Sequence, residues 1–356
     1  MSGLARLGEL WSTIQKWLFP LLEDELGELD DKHKEFVAVC ETCAPGAQMT
    51  PYRWIGYGCP PKSRLALFKA FVAKALWDFP TTRALLDAMR HRPTLRRLCG
   101  WETLAEVPSE ATFSRAFAAF AEDGLAQRVH EAMVCGRYGD KIAGHVSRDA
   151  TAIHARERGA KKSPGDAQNT PSEAAGATRL QRQLERSLEE NLADLPRACD
   201  WGTKRDSKGK KQSWRGYKLH LDTMDGDIPL SWLLTSASLH DSQPAIPLAQ
   251  MSARRVTSLY DLADAAYDAK EIRALSARLG HVAIIDHNPR RGEKREFAPA
   301  EAVRYRERSA AERVNSHLHD NHGGRHVRVR GAVKVAAHLS FGLLVIAAEQ
   351  LLKLLG

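Results

Sequence analysis

Residues 142–153 read IAGHVSRDATAI, and here the text of the chain changes period. Upstream, apolar residues recur three and four apart. From Ile142 onward that period gives way to short segments with strand character. Four more short segments have strand character: Tyr217–Thr223 (YKLHLDT), Ile228–Thr235 (IPLSWLLT), Ser258–Leu262 (SLYDL) and Val282–Asp286 (VAIID). Asp225-Gly226 between the second and third is a hairpin turn signal. Helical periods at 244–255 and 268–280 separate the later strands. The order β, ββ, α, β, α, β followed by helices predicts a mixed α/β domain, with strands that first meander and then need crossover helices.

Outward from this block, the N-terminal text is all-α. Leu4, Leu7, Trp11, Ile14, Trp17, Leu18 and Leu21 mark a first amphipathic helix, a Pro/Gly-rich loop follows at 45–61, and residues 63–134 are again helical. Ser109 is placed to cap a helix that turns Phe113, Phe117 and Phe120 inward, and a short helix and a Gly100 turn precede it. The arrangement reads either as a helix-turn-helix presenting Thr112, Ser114 and Arg115 to a DNA groove, or as an ordinary bundle. Between the first two strands lies an insertion, 155–213, which carries Leu180, Leu184, Leu188, Leu192 and Leu195 as one helical stripe. It ends in basic text (Lys204, Arg205, Lys208, Lys210, Lys211, Arg215) interleaved with Trp201 and Trp214, suited to phosphates and base stacking or to plain solvation. The expected domains are 1–135 (helical, DNA binding), 136–335 (catalytic, with the insertion) and 336–356 (a helix packed on the catalytic domain).

Composition narrows the classes. The chain has 356 residues, 52 Lys+Arg against 44 Asp+Glu, and 43% hydrophobic residues. That is enough to bury a large core without staples, which excludes a disulfide-rich scaffold and wholesale disorder. The net charge of +8 favours an anionic partner without naming one. Cys40-x2-Cys43, with Cys59 and His33 near, is the first half of a zinc knuckle whose second half is missing, so these read as ordinary thiols. The first residues lack a basic stretch leading into an apolar one, and the cytoplasm is the expected compartment. The run Leu339–Ala348 is broken by Glu349, Gln350 and Lys353, and reads as a buried helix rather than a membrane span.

Three acids stand out by position: Asp149 inside the first strand, Asp264 at the end of the fourth, and Glu312 on the helix after the fifth. A carboxylate within an apolar strand is costly unless it is paired or binds a cation. Adjacent strands and a packed helix can converge three hard oxygen donors, which suit Mg²⁺ or Mn²⁺. Two such ions about 4 Å apart can activate water or a 3′-hydroxyl for phosphoryl transfer on nucleic acid.

The text around these acids resembles the DDE-type insertion-sequence transposases, in the branch numbered four and its neighbour numbered five. Tyr305, Arg308 and Glu312 match the spacing Tyr-x2-Arg-x3-Glu, and His319 stands where that signature continues with Lys. Asp149-Ala150-Thr151 resembles the first-Asp strand, and Arg215–His220 (RGYKLH) the strand after it. His240-Asp241-Ser242 is similar to the turn after the third strand, Asp264–Asp268 (DAAYD) to the second-Asp motif, and Asp286–Arg290 (DHNPR) to the following strand end. Residues 63–135 resemble, more loosely, the helical domain that accompanies many of these enzymes.

The resemblance implies a ribonuclease-H-like catalytic fold with Asp149, Asp264 and Glu312 as ligands of two Mg²⁺ (or Mn²⁺) ions. It implies contacts to transposon-end DNA by Tyr305 and Arg308. His319 is a further candidate DNA contact, as are Lys218 and His220 on the strand expected beside Asp149, and Arg325 within a basic surface running from Arg290 through Arg328 and Arg330. The activity implied is binding of terminal inverted repeats, hydrolysis at the element's ends and joining of the 3′-hydroxyls to target DNA, by a homodimer on DNA, nucleoid-associated and away from membranes. The alternatives are a catalytically inactive DNA-binding derivative and a ribonuclease-H-like nuclease without strand transfer.

Overall fold

In the computed structural model, residues 2–49, 55–57, 60–159, 177–205, 209–289 and 293–355 are described. Cys59, Lys208, Arg290 and the insertion's residues 160–176 lie outside them. The chain divides into two units: residues 1–140 with 316–328 and 333–356, and residues 141–315 with 329–332.

The first unit is helical, with α1 (Gly3–Thr13), α2 (Phe19–Leu26), α3 (Asp31–Cys43), α4 (Arg64–Leu76), α5 (Thr82–His91), α6 (Pro93–Cys99), α7 (Glu110–Glu122) and α8 (Leu125–Tyr138). Their starts are written in the sequence. The side chains of Asp30, Ser63, Thr81 and Ser109 accept hydrogen bonds from the backbone N–H groups of His33, Ala66, Ala84 and Thr112, filling donors that a helix start leaves unpaired. Gly100 ends α6 at φ +105°, where a side chain would be strained. On α7, Phe113 and Phe120 are buried, whereas Ser114 and Arg115 are exposed. Cys40 and Cys43 are free, buried thiols on α3, and burial pushes Cys40 up to about 12.

The second unit carries a mixed sheet of β1 (Ile142–His154), β2 (Asp200–Arg205), β3 (Lys211–Met224), β4 (Ile228–Ser236), β5 (Thr257–Ala263) and β6 (Val282–Ile285). The order across it is β4-β3-β1-β5-β6, and β2 pairs with the first half of β3. Strands β1, β3 and β4 pair antiparallel, and β5 and β6 join parallel. The short helices α9 (Arg179–Gln183) and α10 (Leu188–Ala193) lie in the insertion. The other helices, α11 (Ala245–Ala253), α12 (Lys270–Arg278), α13 (Pro299–Tyr305) and α14 (Ser309–Asn321), follow β4, β5 and β6, and α14 ends in the first unit. The last helix, α15, is Ala332–Lys353.

Three expectations are corrected. The leucine stripe is two helices, because Ser187 starts a second one: its Oγ accepts from the Glu190 N–H while Glu190 Oε2 accepts from the Ser187 N–H. The leucines then serve different clusters, Leu180 and Leu184 with α11 and α12, Leu188, Leu192 and Leu195 with α11 and β4. The basic end of the insertion is the β2–β3 ribbon, in which Trp214 is buried and donates its Nε1–H to the Tyr217 carbonyl at 3.1 Å. Gly202 makes room for that ring, since a Cβ there would sit 2.5 Å from it. Trp214 therefore has no face for a base, whereas Trp201 is exposed. Finally, the C-terminal helix belongs with the N-terminal helices: Phe341 packs on Phe68, Phe71 and Phe117 at ring distances of 5.3, 5.6 and 6.5 Å. By length and composition α15 is apolar enough to cross a membrane, but 83% of its most apolar window is buried.

Candidate active site

Strand register brings the first two acids together. Arg148 on β1 pairs with Ala263 on β5, so the next step places Asp149 beside Asp264, just past the end of β5. Successive side chains on a strand point to opposite faces. Arg148 faces Asp222, its partner on β3. Asp149 therefore points the other way, where Asn315 of α14 donates an Nδ2–H to its Oδ2 at 3.0 Å. Asp264 caps the short turn Ala265–Tyr267, accepting the Ala266 N–H on Oδ1 at 2.9 Å.

Both carboxyls are electrostatically burdened. Burial, and then the charge of Asp264, pushes Asp149 up to about 6, against the pull of the Ala150 N–H, Arg308 and the Asn315 amide. Asp264 is also raised, first by burial and then by Asp241 and Asp286, with Arg308 opposing. Asp241 and Asp286 each hold a lysine, Lys218 at 2.7 Å and Lys294 at 3.0 Å.

Glu312 stands in the first turn of α14, one helical turn before Asn315, and its side chain is half exposed. It accepts from Arg308 Nη2 at 2.5 Å. Arg308 closes the turn Arg306–Arg308, and its charge also acts on Asp149, Asp264 and Tyr305. Tyr305 packs on Phe297 at 4.6 Å between ring centres, with the Arg308 guanidinium 5.7 Å from its own. Asp149, Asp264, Glu312, Tyr305 and Arg308 thus share one neighbourhood around a single guanidinium. The carboxylates of Asp149, Asp264 and Glu312 do not form one tight ligand cluster here, since Glu312 is taken up by Arg308.

The residues present fit a divalent cation. The donors are all oxygens, as a hard ion requires, the Asp pair lacks a countercharge of its own beyond the shared Arg308, and the buried Asn315 Oδ1 has no hydrogen-bond partner. Asn315 was not legible in sequence, although its place one turn beyond Glu312 on the same face is the signal that could have found it.

Two candidate DNA contacts are corrected. His220 and Lys218 share the face of Asp222, away from Asp149. His220 is fully buried, its Nε2 is 2.9 Å from Thr235 Oγ1, and burial lowers it to about 4. Lys218 is nearly buried and donates to Asp241 Oδ1 at 2.7 Å and to the Leu239 carbonyl at 2.8 Å. It fastens the His240–Ser242 turn instead of reaching outward. His319 and Arg325 lie in the segment 316–328 of the first unit, and Arg325 pairs with Asp320.

A family model described as Transposase DDE domain matches residues 145–347, and one described as Transposase domain (DUF772) matches residues 29–119. No curated protein and no solved structure matches the chain.

Proposed function

Because the chain belongs to the family of the transposase DDE domain, whose members act on DNA with divalent metal ions, we propose that Asp149, Asp264 and Glu312 are its metal-binding acids and that it moves an insertion sequence of the branch numbered four or five. The observation that carries this reading is the pair Asp149 and Asp264, adjacent by register on β1 and β5, with Asp149 raised to about 6 opposite the helix of Glu312 and Asn315. The order of three antiparallel strands followed by two parallel ones supports a ribonuclease-H-like domain.

Two Mg²⁺ or Mn²⁺ ions held there would supply activation of the attacking oxygen and stabilisation of the leaving one. Water attacks the phosphorus at each end and the P–O3′ bond breaks, leaving a 3′-hydroxyl. That hydroxyl then attacks a target phosphate, forming one P–O bond as another breaks. Asn315 orients Asp149 through its amide. Arg308 exchanges Glu312 for a phosphate oxygen of the DNA end, freeing the carboxylate for its cation, while Tyr305 lies beside that phosphate. Exposed Ser114 and Arg115 on α7 support the helical unit as the reader of the inverted repeats, and His319 and Arg325 would track phosphates. A homodimer holds the two ends together, in the cytoplasm at the nucleoid.

The test is incubation with DNA carrying the element's own ends and Mg²⁺. Wild type is expected to yield free 3′ ends and joined product, and Asp149→Asn at least about 10³-fold less of both. Equal product from the two proteins would refute the acid assignment. Free ends without joining would mark a nuclease.

A further inference from the structure

We propose that the helical unit holds a second metal site, of a different kind, in which His317, His322 and Glu349 bind a zinc ion. His317 lies about one turn before the end of α14, His322 just past its end, and Glu349 on α15, all within the first unit. Among the described residues this is the one group of three ligating side chains whose donor atoms lie within 4.8 Å of one another.

The distances suit a tetrahedral ion. Bonds of about 2.0–2.1 Å put tetrahedral ligand atoms roughly 3.3 Å apart. The two Nε2 atoms are 3.1 Å apart, and Glu349 Oε2 is 3.6 Å from that of His322 and 3.8 Å from that of His317.

The tautomer is set as well. His322 Nδ1 lies 3.2 Å from the Ala75 carbonyl on α4, which can only accept, so Nδ1 carries the hydrogen and the Nε2 lone pair faces the other two ligands. A ligating histidine fixed from behind by a carbonyl is the usual outer shell of a metal-bound imidazole. His322 and Glu349 are almost wholly buried, whereas His317 is 29% exposed, which leaves a side through which an ion can enter and a water complete the shell.

The donor set separates this site from the oxygen-only one. Two imidazoles and a carboxylate favour zinc and its neighbours over Mg²⁺. The cationic groups acting on the cluster are Lys32 and Lys353, and Lys32 is itself paired with Glu35 at 2.7 Å. The competing arrangement is a metal-free imidazolium of His322 paired with Glu349.

The experiment uses the full chain carrying Asp149→Asn and Asp264→Asn, so that the other carboxylates do not compete. After exposure to Zn²⁺ and dialysis, one zinc per chain should remain by elemental analysis. Tm should rise with Zn²⁺ and not with Mg²⁺, and Co²⁺ should give a visible spectrum without thiolate charge-transfer bands. His317→Ala, a change at a partly exposed position, should keep the helical circular dichroism and lose all three. Retention of no zinc, an unchanged stoichiometry in His317→Ala, or thiolate bands would overturn the proposal. A Tm that depends on pH and never on zinc would identify the imidazolium pair instead.

Discussion

Arg148 and Asp149 are neighbours on one strand and live by opposite rules. On the Arg148 face, Asp222 is fully buried and takes two parallel hydrogen bonds from the guanidinium, at 2.8 and 2.7 Å, with a third from Ser252 Oγ at 2.7 Å. Burial works against the Arg148 charge, and the Asp222 carboxylate more than offsets it, raising the guanidinium above its ordinary value. On the Asp149 face a carboxylate meets another carboxylate, the Ala150 N–H, one amide and a shared arginine, and burial pushes it up to about 6. The same residue type is a finished structural group on one side of the sheet and an unfinished one on the other. Burial raises the Asp222 carboxyl as well, against Arg148 and Ser252, so the two acids differ in their partners and not in the direction of their shift: Asp222 is filled by a guanidinium and a hydroxyl, whereas Asp149 faces a second carboxyl and gains by binding a cation.

The sharpest way to break this contrast is to orphan the structural side. Asp222→Ala leaves Arg148 charged and buried without its hydrogen-bonding carboxylate, offset only by the charge of Asp261, and should cost about 3–5 kcal/mol in urea unfolding. A loss below about 1 kcal/mol would mean that Arg148 finds water or another acceptor, and the two faces would then differ less than their geometry indicates.

Asp149 should respond with the opposite sign. Its folded pKa lies above the ordinary 3.8, so between there and about 6 the native state binds more protons than the unfolded one, and stability falls as pH rises through that window. Asp149→Asn removes the penalty. Without metal at about pH 7 the variant should melt roughly 2–4 °C above wild type, and near pH 4 the two should converge. Mg²⁺ should raise the wild-type Tm and leave the variant nearly unmoved. A variant that melts lower than wild type at neutral pH would place Asp149 among the structural groups with Asp222.

How much of this was legible in the sequence follows the same line. Strands β1, β3, β4, β5 and β6 were readable as short apolar segments, β4 being buried along its whole length, and Asp149 and Asp264 because an acid in apolar text is costly. The faces of β3 were not readable: which side His220 and Lys218 occupy depends on the register of β3 against β1, which long-range pairing fixes. The β2–β3 ribbon was hidden because its first half is polar and carries no apolar alternation. The break in the leucine stripe was present locally, in Ser187 and Glu190, but the leucine period overrode it. The C-terminal helix gave its burial away through composition, while its partners Phe68 and Phe71 stand some 270 residues distant in the chain. Asn315 gave no signal of its own, since a neutral amide on a helix costs nothing that demands explanation.

Asn315 is also where the contrast can be tuned most finely. Its Nδ2–H stabilises the charged form of Asp149, whereas its Oδ1 is buried and unpartnered. Asn315→Ala removes the stabilising donor, so the Asp149 carboxyl must rise further. The acidic limb of the pH–rate profile for end cleavage should then move to higher pH by roughly one unit or less, a charged-acceptor hydrogen bond being worth about 1.5–3 kcal/mol before water replaces part of it. On the alkaline side the variant's rate should approach that of wild type, because the carboxylate is ionised in both. Asn315→Asp should move the limb in the same direction and further, since a third acid replaces a donor with a like charge. A limb that stays in place in both variants, with the rate lowered equally at every pH, would mean that Asn315 only packs α14 against β1 and that Asp149 is tuned by burial, the Ala150 N–H, Asp264 and Arg308.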